Sequence, residues 1–164
     1  MLLVRRCACA ALACLWVSAA CASHCPSSAP GRFVFVDQGR GIKDTYTGLV
    51  WERCSAGQVW NGHDCVGVAA AMTYTDALQY VKRQSGWRLP EVKELASLLD
   101  WSCERPVIDG MVFPNTPNRF FWTATRYSAG ADGVWCVNFA DGSIKGSGRD
   151  SQSGVVRLLR VAKD

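Results

Sequence analysis

The chain has 164 residues, enough for one ordinary domain and too few for two. Its formal net charge of +4 is partly a property of its first residues. Without residues 1–22, Arg5 and Arg6 are gone, 16 basic side chains face 14 acidic ones, and the net charge is +2. A balance this small gives no reason to expect a nucleic-acid partner.

In chain order, residues 1–6 carry Arg5 and Arg6 and no acid. Residues 7–17 are apolar or small, and Ser18, Ala19, Ala20, Cys21 and Ala22 follow. A basic start, a short apolar run and a small-x-small site together predict a secretory signal peptide over residues 1–22. The apolar run is about half the length that spans a bilayer. An exported product is therefore expected, whether periplasmic, outer-membrane-associated or secreted. Two processing sites compete. Cleavage after Ala22 discards Cys21, and cleavage after Ala20 makes Cys21 the first residue, where it is either lipidated or free to bond. A membrane partner is expected only if Cys21 is lipidated.

Residues 23–32 are rich in Ser, Ala and Pro and read as a disordered lead-in to a domain over residues 33–162. Residues 33–37 are a strand candidate with apolar side chains on both faces, hence buried. Further strands are expected at 42–46 and 49–54. Thr73 with Asp76 forms a capping-box pattern, and Tyr74, Ala77, Leu78 and Val81 repeat at helical spacing. Residues 87–100 predict a second helix, with Pro90 in its first turn, Glu91 and Glu94 near the positive end of the dipole, and Val92, Leu95, Ala96 and Leu99 as its apolar stripe. Strands follow at 120–125, 134–139 and 155–161, and Asp141-Gly142 is a hairpin signal before a return strand that begins at 143–145. Strands, two helices and more strands make an α+β domain, with helices packed on antiparallel sheet.

Of nine cysteines, Cys7, Cys9 and Cys14 lie in the signal and Cys21 at its border. Cys25, Cys54, Cys65, Cys103 and Cys136 remain, with no C-x-x-C spacing and only His24 and His63 as further soft ligands. Neither a bound metal nor any cofactor is expected, and export favours disulfides. Cys54 and Cys65 flank a polar loop and are the natural first pair, worth about 3 kcal/mol in the chain-entropy description. Cys103 and Cys136 are then the natural second pair. Cys25 is left odd, or pairs with Cys21 if that residue is retained.

Several phrases occur in order: Asp44-x-x-Thr47-Gly-Leu-Val-Trp51; Gly86-Trp87-Arg88-Leu89-Pro90 with Glu94-Leu95; Phe113-Pro-Asn-Thr116; Phe121-Trp-Thr123; Trp135-x-Val-Asn-Phe139 followed by Asp141-Gly142; and Val156-Arg-Leu158. Together they resemble the family named for the C-terminal domain of the collagen-like adhesin Lcl. The resemblance runs from about Phe33 to Val161. It implies a C-type-lectin-like fold with the N- and C-terminal strands paired, so that 33–37 would lie beside 155–161. It also implies an exported, non-enzymatic module that binds a polysaccharide or other polyanion. The Arg88-Leu-Pro90 phrase is similar as well to formylglycine-generating-type proteins, which keeps a cysteine-dependent enzyme in view.

Most of the phrase around Trp87, Arg88, Leu89, Pro90 and Glu94 has a structural reading: Pro90 starts a helix, Trp87 is buried, and Arg88 anchors a carboxylate. His63-Asp64 reads as a solvated turn. Trp60, in the loop between Cys54 and Cys65, is a candidate for stacking on a sugar ring. Arg119, Arg126, Lys145 and Arg149 are candidates for meeting sulfates or carboxylates, although Asp132, Asp141 and Asp150 interleave with them. The competing roles are a homo-oligomeric or assembly subunit of a surface appendage, and the enzyme.

Overall fold

The computed structural model describes Cys25 and residues 30–127, 133–148 and 151–162. The expected signal peptide, with Cys21, and Arg149, Asp132 and Asp150 lie outside the described residues.

The chain forms a mixed α+β domain of nine strands and two helices among the described residues. Strands β1 (Phe33–Val36), β2 (Gly41–Asp44), β3 (Leu49–Glu52) and β9 (Leu159–Val161) make an antiparallel sheet in the order β1-β2-β3-β9. β4 (Val59–Trp60) and β5 (Cys65–Val66) form a two-residue ribbon, and β6 (Phe120–Tyr127), β7 (Gly133–Asn138) and β8 (Ile144–Gly148) form an antiparallel meander. Between the two larger sheets in sequence come α1 (Tyr74–Lys82) and α2 (Val92–Ala96).

The terminal strands share a sheet but do not pair. β9 lies against β3, with Trp51 opposite Leu159, and β1 forms the opposite edge. This also corrects the expectation that residues 33–37 are buried on both faces. An edge strand has a neighbour on one side only, and Val34 and Phe35 are exposed.

The 155–161 segment is regular strand only at its end, because it joins both large sheets. Val155 bridges Phe121 in parallel and Leu159 bridges Arg88 antiparallel, with Trp122 N–H donating to Val155 O at 3.0 Å and Arg88 N–H to Leu159 O at 2.9 Å. Val155, Val156, Arg157, Leu158 and Leu159 are all fully buried. Successive side chains point to opposite faces, so Val155 and Leu159 enter one core with Trp51, Leu95, Phe113 and Phe121, whereas Val156 and Leu158 enter another with Tyr74, Trp122 and Cys136.

Helix α1 follows its sequence signals at its start, but Leu78 of the expected apolar stripe is exposed. Thr73 is the N-cap, its hydroxyl accepting from Asp76 N–H at 3.2 Å, and Tyr74 and Ala77 face the core. Helix α2 is much shorter than the 87–100 expected. Its N-cap is Glu91, so Pro90 stands just outside the helix rather than in its first turn, and the Pro90 carbonyl accepts from Ala124 N–H. After Ala96 the bonds tighten to i→i+3, with Leu98 donating to Leu95 O and Leu99 to Ala96 O. Trp87 is half-buried rather than buried, with Arg160 over its ring at 5.3 Å.

Cys54 bonds to Cys65 as expected. Cys103, however, bonds to Cys25, and Cys136 is a buried free thiol. Cys136 belongs to the core face of β7, packed with Trp122 and Val134, and Cys103 lies in a loop. The lead-in is accordingly held at two points, Cys25 and Arg32. The Arg32 guanidinium bonds both Asp44 oxygens, at 3.1 and 2.6 Å, and the Ser97 carbonyl at 3.0 Å.

Candidate functional site

The turn after α2 carries the most exposed tryptophan side chain among the described residues. Trp101 is 71% exposed, although its neighbours Asp100 and Cys103 are buried. Asp100 fixes the turn by accepting from Ser102 N–H at 3.0 Å and from its hydroxyl at 2.6 Å. Cys103 N–H donates to Asp100 O, and the bond to Cys25 ties the same turn to the start of the domain. The indole edge rests on Gly142, where a Cβ would stand 2.3 Å from the ring; this glycine also has a φ of 71°, a backbone region that favours glycine. The hairpin signal Asp141-Gly142 thus has a second purpose, as the seat of Trp101.

Trp101 borders a cleft of about 880 Å³ that also includes Glu104, Arg105, Pro106, Asp141 and the Cys25–Cys103 bridge. Hydrogen bonds from the Ser143 hydroxyl and N–H, at 2.6 and 3.0 Å, hold the Asp141 carboxyl below its usual pKa. The cleft therefore offers an apolar ring face beside two acids and a guanidinium. That set can stack on a ring and hydrogen-bond its substituents, and it includes no activated nucleophile. No cluster of three or more metal-ligating side chains occurs among the described residues.

The residues singled out from sequence fall in several places. Trp60 is half-buried and faces Arg53, whose guanidinium carbon lies 3.6 Å from the ring centroid. One face available for stacking is thus already occupied. Arg119 and Arg126 lie at opposite ends of β6, about 20 Å apart by strand rise, and Lys145 lies on β8 opposite Cys136. All three are exposed, but they form no single cationic patch. Arg88 does anchor a carboxylate: its guanidinium donates to both Glu94 oxygens at 2.8 and 2.7 Å, and Glu94 also accepts from Glu91 N–H. These bonds hold the Glu94 carboxyl below its usual pKa. His63 is an exposed turn residue whose N–H donates to Asn61 Oδ1.

Trp101 was not anticipated. Its sequence signal is that it falls off the Val92, Leu95, Ala96, Leu99 stripe, between polar neighbours and beside a cysteine. Arg157, inside the Val156-Arg-Leu158 phrase, was not anticipated either. It is fully buried and donates to the Glu52 and Arg53 carbonyls, Ser55 Oγ and Thr116 Oγ1, with Phe113 against its guanidinium at 4.8 Å. Burial pushes its pKa down. The residue clamps strand β3 to the 113–116 loop and plays no part in the cleft.

These features define a small α+β domain, tied by two disulfides, with an aromatic cleft beside one of them. The chain belongs to the Lcl C-terminal domain family, which matches residues 40–160. No curated protein matches the chain.

Proposed function

We propose that this domain is an exported, non-enzymatic binding module that recognises a glycan or other polyanion at the cell surface or in the envelope. The observation that carries this reading is Trp101. An indole left 71% exposed, seated on glycine and flanked by Glu104, Arg105 and Asp141, provides a stacking platform with hydrogen-bonding groups at its edge. Membership of the Lcl C-terminal domain family agrees with such a role. The dispersal of Arg119, Arg126 and Lys145 favours recognition of individual sugar rings over a continuous anionic track.

The cysteines favour binding over the formylglycine-generating-type alternative. Cysteine-dependent oxidation needs an accessible thiolate. Two bridges take up four cysteines, and burial pushes the Cys136 thiol up to about 12. Two bridges, and no membrane-spanning helix among the described residues, agree with export.

A glycan array probed with the mature protein tests the reading. Retained glycans, and a loss of about tenfold or more in affinity for Trp101→Ala with an unchanged melting temperature, are expected. An array with no hits from folded protein would overturn it. The assembly reading rests on one observation, the exposed Val34 and Phe35 on the edge strand β1. A mass above that of the monomer by light scattering, abolished by Phe35→Lys, would support it instead.

A further inference from the structure

Three charged side chains line the Trp101 cleft, and each has bonding capacity to spare. Glu104 and Arg105 are exposed, and neither side chain has a hydrogen bond or ion pair among the described residues. Asp141 is exposed as well and accepts both Ser143 bonds at Oδ1, which leaves Oδ2 open. Its pKa is lowered first by those Ser143 bonds and then, through space, by Lys145 and Arg105. Lys145 exerts its pull from a separate pocket of about 140 Å³ beside β8 and does not line the cleft. The cleft wall therefore carries two carboxylates against one guanidinium.

The bonding rules of these groups discriminate among sugars. An ionised carboxylate only accepts hydrogen bonds and a guanidinium only donates them. A hydroxyl does both, so a ring with neighbouring hydroxyls can serve all three side chains while its C–H face lies on the open indole. A sulfate or a uronic carboxylate only accepts. It finds Arg105 as its one charged donor and meets Glu104 and Asp141 as like charges. An ammonium only donates, and it leaves Arg105 without an acceptor. A volume of about 880 Å³ lies within the range of ordinary ligand clefts.

We propose that the cleft selects uncharged pyranose units over sulfated or uronic ones. Trp101 stacks on the ring, and Glu104, Arg105 and Asp141 share its hydroxyls. The inference rests on the glycan reading of this cleft and narrows it from polyanions to neutral sugars.

The test uses the mature, disulfide-bonded protein and follows the Trp101 indole N–H by NMR. Methyl glycosides of glucose, galactose and mannose are titrated beside a methyl glucuronide, a sulfated galactoside and glucosamine. A saturable shift is expected with at least one neutral glycoside, and binding about tenfold or more weaker with its charged counterparts. Raising NaCl from about 50 to about 500 mM should change the neutral affinity by less than about twofold, because no net ligand charge is screened. Glu104→Gln, at an exposed position, should weaken the neutral glycoside and strengthen the sulfated one, whereas Arg105→Gln should weaken both. If only larger glycans on the array bind, the charge of the hits decides: neutral hits support the proposal, and sulfated or uronic hits overturn it. A Trp101 shift from charged sugars alone, or a neutral affinity that falls steeply with salt, would overturn the selectivity and leave the glycan reading standing. No shift from any sugar, with an empty array, would overturn both.

Discussion

Asp44 shows how a single side chain holds the start of the domain. It is the acid of the first family phrase, it is fully buried, and its carboxylate takes both Arg32 bonds as well as the Tyr46 N–H at 3.0 Å. Burial alone would raise its pKa, but the Arg32 and Tyr46 bonds outweigh burial and leave the carboxyl below its ordinary value. A depressed carboxylate contributes stability above its unfolded pKa and loses it as pH falls through the folded value. Stability in urea should therefore hold from neutral pH to about pH 4 and decline below that. Asp44→Asn should cost about 2–3 kcal/mol at pH 7, because it leaves the largely buried Arg32 without its counter-charge. The gap between variant and wild type should narrow at pH 3. A gap independent of pH would mean that shape, not charge, is what Asp44 supplies.

Elements were legible wherever a local signal determined them. The Thr73 cap with Tyr74 and Ala77 placed the start of α1 to the residue. Thr73→Ala should accordingly destabilise by about 1 kcal/mol, measured by urea unfolding. Failures came where a distant segment decides. Residues 97–99 keep the apolar spacing of a helix, yet the Ser97 carbonyl is taken by Arg32 and Leu98 drops into the core through a tightened turn. Residues 55–64 read as a polar loop closed by the Cys54–Cys65 bond, which is present, but the pairing of Val59 with Val66 that makes the closed segment a ribbon had no signal in the sequence. Val59, Val66 and Val68 are exposed there, so little apolar burial holds the ribbon, and the bond does much of the work. Cys54→Ala with Cys65→Ala should cost about 3 kcal/mol in urea and broaden the Trp60 indole resonance. An unchanged resonance would show that Arg53 alone positions Trp60. The candidate site was less legible than the fold, because Trp101 lies against Gly142, a contact across 41 positions of sequence.

At the scale of the whole molecule, the Cys25–Cys103 bond connects the expected export signal to the expected binding cleft. It closes a separation of 78 residues, which the chain-entropy description values at about 4–5 kcal/mol, and it borders the cleft next to Trp101. Because Cys25 is engaged, a retained Cys21 has no partner there, which removes the Cys21–Cys25 pairing from the alternatives raised by the sequence. Cys136 is left as the single thiol of the described residues, buried on β7 and pushed up to about 12. The native exported protein should therefore react with no thiol reagent at pH 8 through these five cysteines. Unfolded without reductant, a chain cleaved after Ala22 should expose one thiol. A chain cleaved after Ala20 should expose two, or one if Cys21 carries lipid, and intact mass separates these cases. Non-reducing peptide mapping decides the pairing itself. A Cys25 peptide linked to a Cys103 peptide is expected, and a Cys103–Cys136 link would require β7 to give up its core face and would overturn the arrangement of the cleft.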